Sequence, residues 1–174
     1  MLEKLTGFSM YQGVLAVAKI PNPTTLETIL SKASRPFLFG AVDGLTNAEN
    51  LGGLVRNCVA FGVQALLVGE TSSSPYLRRA VRASMGAIFN LAVVETINLV
   101  LALQQLRAKN VRCIAAHPHA DRGTLSQADF RCDCCVVFGS EGYGISPQVR
   151  ETCDDVVAIP MHGSVERRGL RRSG

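Results

Sequence analysis

No apolar run in the 174-residue chain reaches 18 residues, so no membrane-spanning helix is expected. The first residues, Met1-Leu2-Glu3-Lys4, lead into polar positions and Gly7 without the apolar stretch of a secretory signal. No second C-x-x-C accompanies Cys132-x-x-Cys135, which leaves a zinc ribbon without half its ligands. No G-x-G-x-x-G follows the first strand of the regular pattern, which argues against a dinucleotide-dependent oxidoreductase. Positive charge is scarce outside one stretch. Residues 166–174 hold four Arg and one Glu, so the net charge of +4 falls to +1 without them. The basic balance therefore does not by itself mark a nucleic-acid surface on the folded body.

What is present is a core. Hydrophobic residues make up 47% of the chain, a globular composition at a length that suits one domain. With no secretory signal, the six cysteines (58, 113, 132, 134, 135 and 153) are expected to be reduced thiols in a cytoplasmic protein. Cys134 and Cys135 run straight into an apolar strand, which favours small buried residues over metal ligands. No metal site is expected.

The pattern along the chain alternates. Residues 13–20 read as a short strand, and Thr24 with Glu27 resembles a capping box that opens a helix to about Lys32. Strands are expected over residues 37–42, 65–68, 89–94, 111–116, 136–138 and 156–159. Helices are expected over residues 47–61, 74–84, 98–109 and 146–152, with Gly62 as the stop of the first of these. Strands and helices alternating at this spacing predict an α/β fold, a parallel sheet with flanking helices.

Three clusters carry candidate chemistry. In the first, Asn47 to Arg56, Gly52 and Gly53 each cost a helix about 1 kcal/mol relative to Ala. Two such residues near a helix start point to close approach by another backbone or by a ligand. Arg56 falls off the Leu51/Leu54/Val55/Cys58 face, either as a solvated side chain or to meet a phosphate or carboxylate. The second cluster, residues 136–146, is an apolar strand, three glycines around Glu141, and Ser146-Pro147 at a helix start. Such an edge is where open α/β sheets bind ligands; Glu141 is there either a turn cap or a ligand-facing carboxylate. The third is Ile159-Pro160-Met161-His162-Gly163-Ser164-Val165, a strand end and loop in which His162 is either solvated or catalytic. His117 and His119 have no partner at clear metal spacing.

Taken in order, these clusters resemble the SpoU (TrmH-like) family of RNA 2′-O-ribose methyltransferases in the SPOUT superfamily. N-L-G-G-L-V-R at residues 50–56 is similar to the family's first motif, V-F-G-S-E-G-Y-G-I-S at 137–146 to the second, and I-P-M-H-G-S-V at 159–165 to the start of the third. The resemblance implies a SPOUT-type sheet with a C-terminal trefoil knot, a homodimer with the active site at its interface, and S-adenosyl-L-methionine held in the knot. It implies cofactor contacts at Gly139, Ile159, Met161 and Ala116, and catalytic polar positions at Arg56, Asn50 and Glu141. RNA is the implied partner, ribosomal RNA ahead of transfer RNA. It also divides the chain: residues 1–33 as a remnant of an L30e-like substrate-binding domain with linker, 34–165 as the catalytic domain, and 166–174 as an Arg-rich tail outside the pattern.

The sequence departs from the family after Val165. Where the third motif continues with Ser-Leu-Asn, this chain has Arg167, Arg168 and Gly169. An Arg168 in place of the leucine that packs on a cationic cofactor predicts weakened cofactor binding. The alternative expectation is an inert RNA-binding or dimerisation module with the same fold.

Overall fold

The computed structural model describes residues 17–118 and 128–158. Six strands form one fully parallel sheet: β1 (Leu38–Asp43), β2 (Ala65–Val68), β3 (Ala92–Glu95), β4 (Arg112–Ala116), β5 (Cys134–Gly139) and β6 (Asp155–Val157), in the order β3-β2-β1-β5-β4-β6. The central strand β1 pairs Phe39 with Ala65 on one side and with Cys135 on the other. Being covered on both faces, these strands read in sequence as continuous apolar runs.

Alternate residues of β1 supply two separate cores. Phe39 and Ala41 face one layer, which contains α1 (Leu26–Lys32), α4 (Leu99–Ala108) and α5 (Pro147–Thr152). Leu99, Leu103 and Leu106 of α4 are fully buried there, each contributing about 1.5–3 kcal/mol of burial. Val42 faces the other layer, made by Leu51, Val55 and Cys58 of α2 (Ala48–Ala60) and by Ile88 of a 3₁₀ turn over Ala87–Asn90. The short helix α3 (Arg78–Ala83) packs on α2 in this layer. Towards β6 the same face carries a smaller cluster of Ile114, Cys134 and Val157.

Several sequence expectations change. Residues 17–20 form no strand and are exposed; the rest of the expected 13–20 strand lies outside the described residues. The α1 cap is Thr25, not Thr24: its hydroxyl accepts from the Thr28 N–H. The helix expected from Ser74 begins only at Arg78, because Ser74 organises a turn, its Oγ accepting from the Tyr76 N–H and its carbonyl from the Leu77 N–H. Phe89 and Asn90 belong to the 3₁₀ turn and not to β3, since Met85 and Gly86 both take left-handed conformations that fold the chain just before it. Ile159, at the expected end of the last strand, lies outside the described residues, as does the segment in which a trefoil knot would be tied.

All six cysteines are free; Cys134 and Cys135 are buried at the start of β5 and Cys132 is exposed. Among the described residues no group of side chains has the composition of a metal site, and no helix is long and apolar enough to cross a membrane.

Candidate functional site at the strand ends

The C-terminal ends of β1, β4 and β5 lie side by side and carry the first two clusters. β5 ends at Gly139, and the chain then folds back on itself. The Ser140 N–H donates to the Gly144 carbonyl at 3.0 Å and the Gly144 N–H returns to Ser140 at 2.9 Å. Gly144 takes φ +69°, a conformation that suits glycine. A Cβ on Gly139 would sit 2.1 Å from the Gly144 carbonyl carbon and 2.3 Å from the Ile145 nitrogen. The glycine at 139 is thus required by the loop's own crossing. Glu141, Gly142 and Tyr143 project from it and are exposed.

One residue not singled out in the sequence anchors this loop. Asp43, the last residue of β1, is buried. Its carboxylate accepts from the Ser146 N–H at 2.7 Å and from the Thr71 hydroxyl at 3.4 Å. It ties the ends of β1 and β2 to the start of α5. The only local sign of it in the sequence is a charged residue closing an apolar run before Gly44. His117, just past β4, lies at the same edge: its backbone N–H donates to the Val157 carbonyl at 2.9 Å. Its ring lies beside Gly144, with Nε2 at 3.8 Å from where a Cβ there would be.

The first cluster reaches the same edge from α2. Asn47 caps this helix, its Oδ1 accepting from the Glu49 N–H at 2.9 Å and the Asn50 N–H at 3.2 Å. Directly after the cap, the Asn50 side-chain amide donates to the Glu141 carboxylate. Two residues 91 apart in the chain are thereby joined. Gly52 meets a backbone and not a ligand: a Cβ there would lie 2.3 Å from the Ala80 carbonyl oxygen of α3. Gly53 has nothing within 4 Å of such a Cβ. Arg56 is exposed, one turn beyond Gly52 on the same side of α2. It makes no hydrogen bond to Asn50 or Glu141.

Ala116 ends β4 and is half-buried, on the strand next to the one that ends in Gly139. Ile159, Met161 and His162 lie outside the described residues. A groove of about 800 Å³ opens on the other side of the 140–146 loop, between Asp43, Thr46, Glu70, Asn98, Tyr143 and Val149. It does not include Asn50, Arg56 or Glu141. Chemically, the edge offers an oriented amide–carboxylate pair, a backbone-rich loop and an exposed guanidinium. It suits positioning of a polar substrate.

Comparison with known proteins gives a consistent answer. The family model described as "SpoU rRNA Methylase family" matches residues 38–167. An uncharacterized tRNA/rRNA methyltransferase of Mycobacterium avium is 35% identical over 167 residues, which is 95% of this chain and 54% of that protein. The 23S rRNA (guanosine-2′-O-)-methyltransferase RlmB of Shewanella oneidensis is 33% identical over 95% of this chain and 68% of its own length. The chain thus spans about half the length of the mycobacterial relative. The SpoU methyltransferase AviRb of Streptomyces viridochromogenes superposes with a TM-score of 0.75 at 26% identity, over 83% of this chain and 57% of that one. In its complex with AdoMet the TM-score is 0.72 at 27% identity, over 83% of this chain and 58% of that one. The sheet and its flanking helices are those of SpoU methyltransferase structures, and the chain belongs to the SpoU rRNA methylase family.

Proposed function

We propose that the chain methylates an RNA ribose 2′-OH, with ribosomal RNA as the substrate class and S-adenosyl-L-methionine as the donor. The observation that carries this reading is the Asn50–Glu141 contact, which joins two family motifs at one edge of the sheet. The edge fits a cationic donor: within loop 140–146 the only charged side chain is the exposed carboxylate of Glu141. Gly139 and Ala116 would hold the donor through backbone groups, together with Ile159 and Met161. When bound, S-adenosylmethionine supplies an electrophilic methyl group.

The remaining work falls to positioning and proton removal. Asn50 and Glu141 orient the ribose, and Arg56 stabilises the 2′-oxygen as its proton passes to solvent water; the oxygen gains the methyl group as the S–CH3 bond breaks and the sulfonium leaves as a neutral thioether. A 2′-OH acceptor restricts the substrate to RNA. We further assign residues 34–165 as the catalytic unit, 1–33 as the remnant of a substrate-binding domain and 166–174 as a tail, and place the protein in the cytoplasm as a homodimer.

The test is transfer of tritium from labelled S-adenosylmethionine into bulk ribosomal RNA. Incorporation is expected, with Arg56→Ala lowering kcat about 10²–10³-fold at unchanged cofactor affinity. A second reading is favoured by Arg167, Arg168 and Gly169 at third-motif positions: an inert RNA-binding or dimerisation module. RNA binding without any incorporation would establish that reading and refute the first.

A further inference from the structure

The net charge of the body hides a local concentration. From residue 71 to residue 94 the chain has three arginines, no lysine and no carboxylate. All three, Arg78, Arg79 and Arg82, fall on α3 and are exposed. Positions 78 and 82 are one turn apart and 79 lies beside them, so they share the outer side of the helix. The inner side is fixed by contact: Ala80 and Ala83 are the residues that meet Gly52 of α2. One turn beyond Gly52 on that helix stands Arg56, also exposed. Helix α3 therefore gathers three guanidinium groups on its outer side. The carboxylates of the flanking elements are Glu49 in the first turn of α2, Glu70 after β2 and Glu95 at the end of β3.

We propose that the α3 arginines form a docking surface for the RNA backbone, holding phosphates of the strand that leads to the 2′-OH near Arg56. This rests on the RNA-methylation reading above for the identity of the polyanion. The residue type supports it, since a guanidinium presents a planar fork that matches phosphate oxygens. So does the fixed placement: Gly52 admits the α3 backbone so closely that the distance from the arginines to α2 is set by packing. The surface contacts backbone and not base edges, so it positions RNA without reading sequence.

The test is fluorescence anisotropy of a fluorescein-labelled, mixed-sequence single-stranded oligoribonucleotide, titrated with the full chain at several KCl concentrations. Each neutralised phosphate contributes about 0.7 to the slope of log affinity against log salt. Arg78 and Arg82 already hold interactions within the protein, so R78Q/R79Q/R82Q is expected to reduce the slope by about 1 to 2. R78K/R79K/R82K keeps the charge and is expected to keep the slope. An unchanged slope in the Gln variant overturns the proposal. So does an equal loss in the Lys variant, which marks a structural role, or a failure of the unsubstituted chain to bind the oligonucleotide. Methyl transfer assayed in parallel separates the two ideas. Transfer with an unchanged slope sinks the docking surface alone, whereas a reduced slope without transfer sinks the activity and leaves the surface standing.

Discussion

Gly52 and Gly53 are adjacent in one helix, and substitution by alanine should move stability in opposite directions. In Gly52→Ala the new methyl carbon would lie 2.3 Å from the Ala80 carbonyl oxygen, 2.7 Å from the Ala83 Cβ and 3.0 Å from the Ser84 nitrogen. Ordinary contact is about 3.5–4 Å, and two of the three obstacles are backbone atoms that no rotamer change can remove. Helices α2 and α3 must separate by about 1 Å, an overpacking cost of roughly 1–3 kcal/mol. The upper half of that range applies, because the clash is with a rigid element. Alanine recovers about 1 kcal/mol of helix propensity, leaving a net loss of roughly 1–2 kcal/mol. For a domain of this size that lowers Tm by roughly 2–8 °C. Gly53→Ala gains the same propensity with nothing within 4 Å to strike, so it should raise Tm by about 2–4 °C. Urea unfolding followed by circular dichroism would measure both, with equal m-values confirming that the unfolded ensemble is unchanged. A Gly52→Ala variant as stable as the parent would refute the close-packing argument, and with it the claim that α3 is held rigidly against α2.

Gly139→Ala should abolish the Ser140–Gly144 crossing, since the added carbon falls 2.1 Å from the Gly144 carbonyl carbon; loss of S-adenosylmethionine binding by calorimetry with little change in far-UV dichroism is the expected result. Asp43→Ala removes the acceptor of the Ser146 N–H and the Thr71 hydroxyl, and should cost roughly 2–4 kcal/mol in urea unfolding. Burial pushes the thiols of Cys113 and Cys153 up to about 12, and those of Cys58 and Cys134 up to about 11, from an unfolded value near 9. The unfolded chain therefore releases these protons first; stability is complete below pH 9 and is lost as pH rises from there through the folded values. A Tm that stays flat above pH 9 would contradict this, as would rapid native-state reaction of more than the single exposed thiol, Cys132, with a thiol reagent. Arg168→Leu should strengthen S-adenosylmethionine binding by calorimetry, because it removes a positive charge from the position expected to pack on a sulfonium; equal affinities would remove Arg168 from the account.

Much of the fold was legible because local signals agreed with burial. Strand β2 occupies the expected residues 65–68, an apolar run between two glycines. Helix α2 begins after Asn47 and stops before Gly62, which takes φ +72°. The errors came where short-range signals competed. Ser74-Pro75 is a sound helix start, but the Ser74 hydroxyl and carbonyl close a turn first. Phe89 has the residue type of a strand, yet it follows two left-handed residues and is left 64% exposed in a 3₁₀ turn. Asp43 was missed for a different reason: its partner, Ser146, is 103 residues away, and no local pattern announces a contact at that range.

The glycines of the two motifs also change meaning once the backbone is seen. Both cluster near polar site residues, and in sequence both point as easily to a ligand as to a neighbour. The structure gives each a neighbour within the chain: α3 against Gly52, and the 144–145 backbone against Gly139. Their role in the site is therefore indirect but necessary. Gly52 fixes the helix that carries Asn50 and Arg56, and Gly139 fixes the loop that carries Glu141. With the Asn47 cap and the Asp43–Ser146 tie, these contacts bring Asn50 to Glu141. Every one of them is made between residues 43 and 146. This part of the candidate site is thus assembled by the sheet and its two flanking loops. Cofactor affinity should accordingly respond to Gly139 and to the segment after Val165, and fold stability to Gly52 and Asp43.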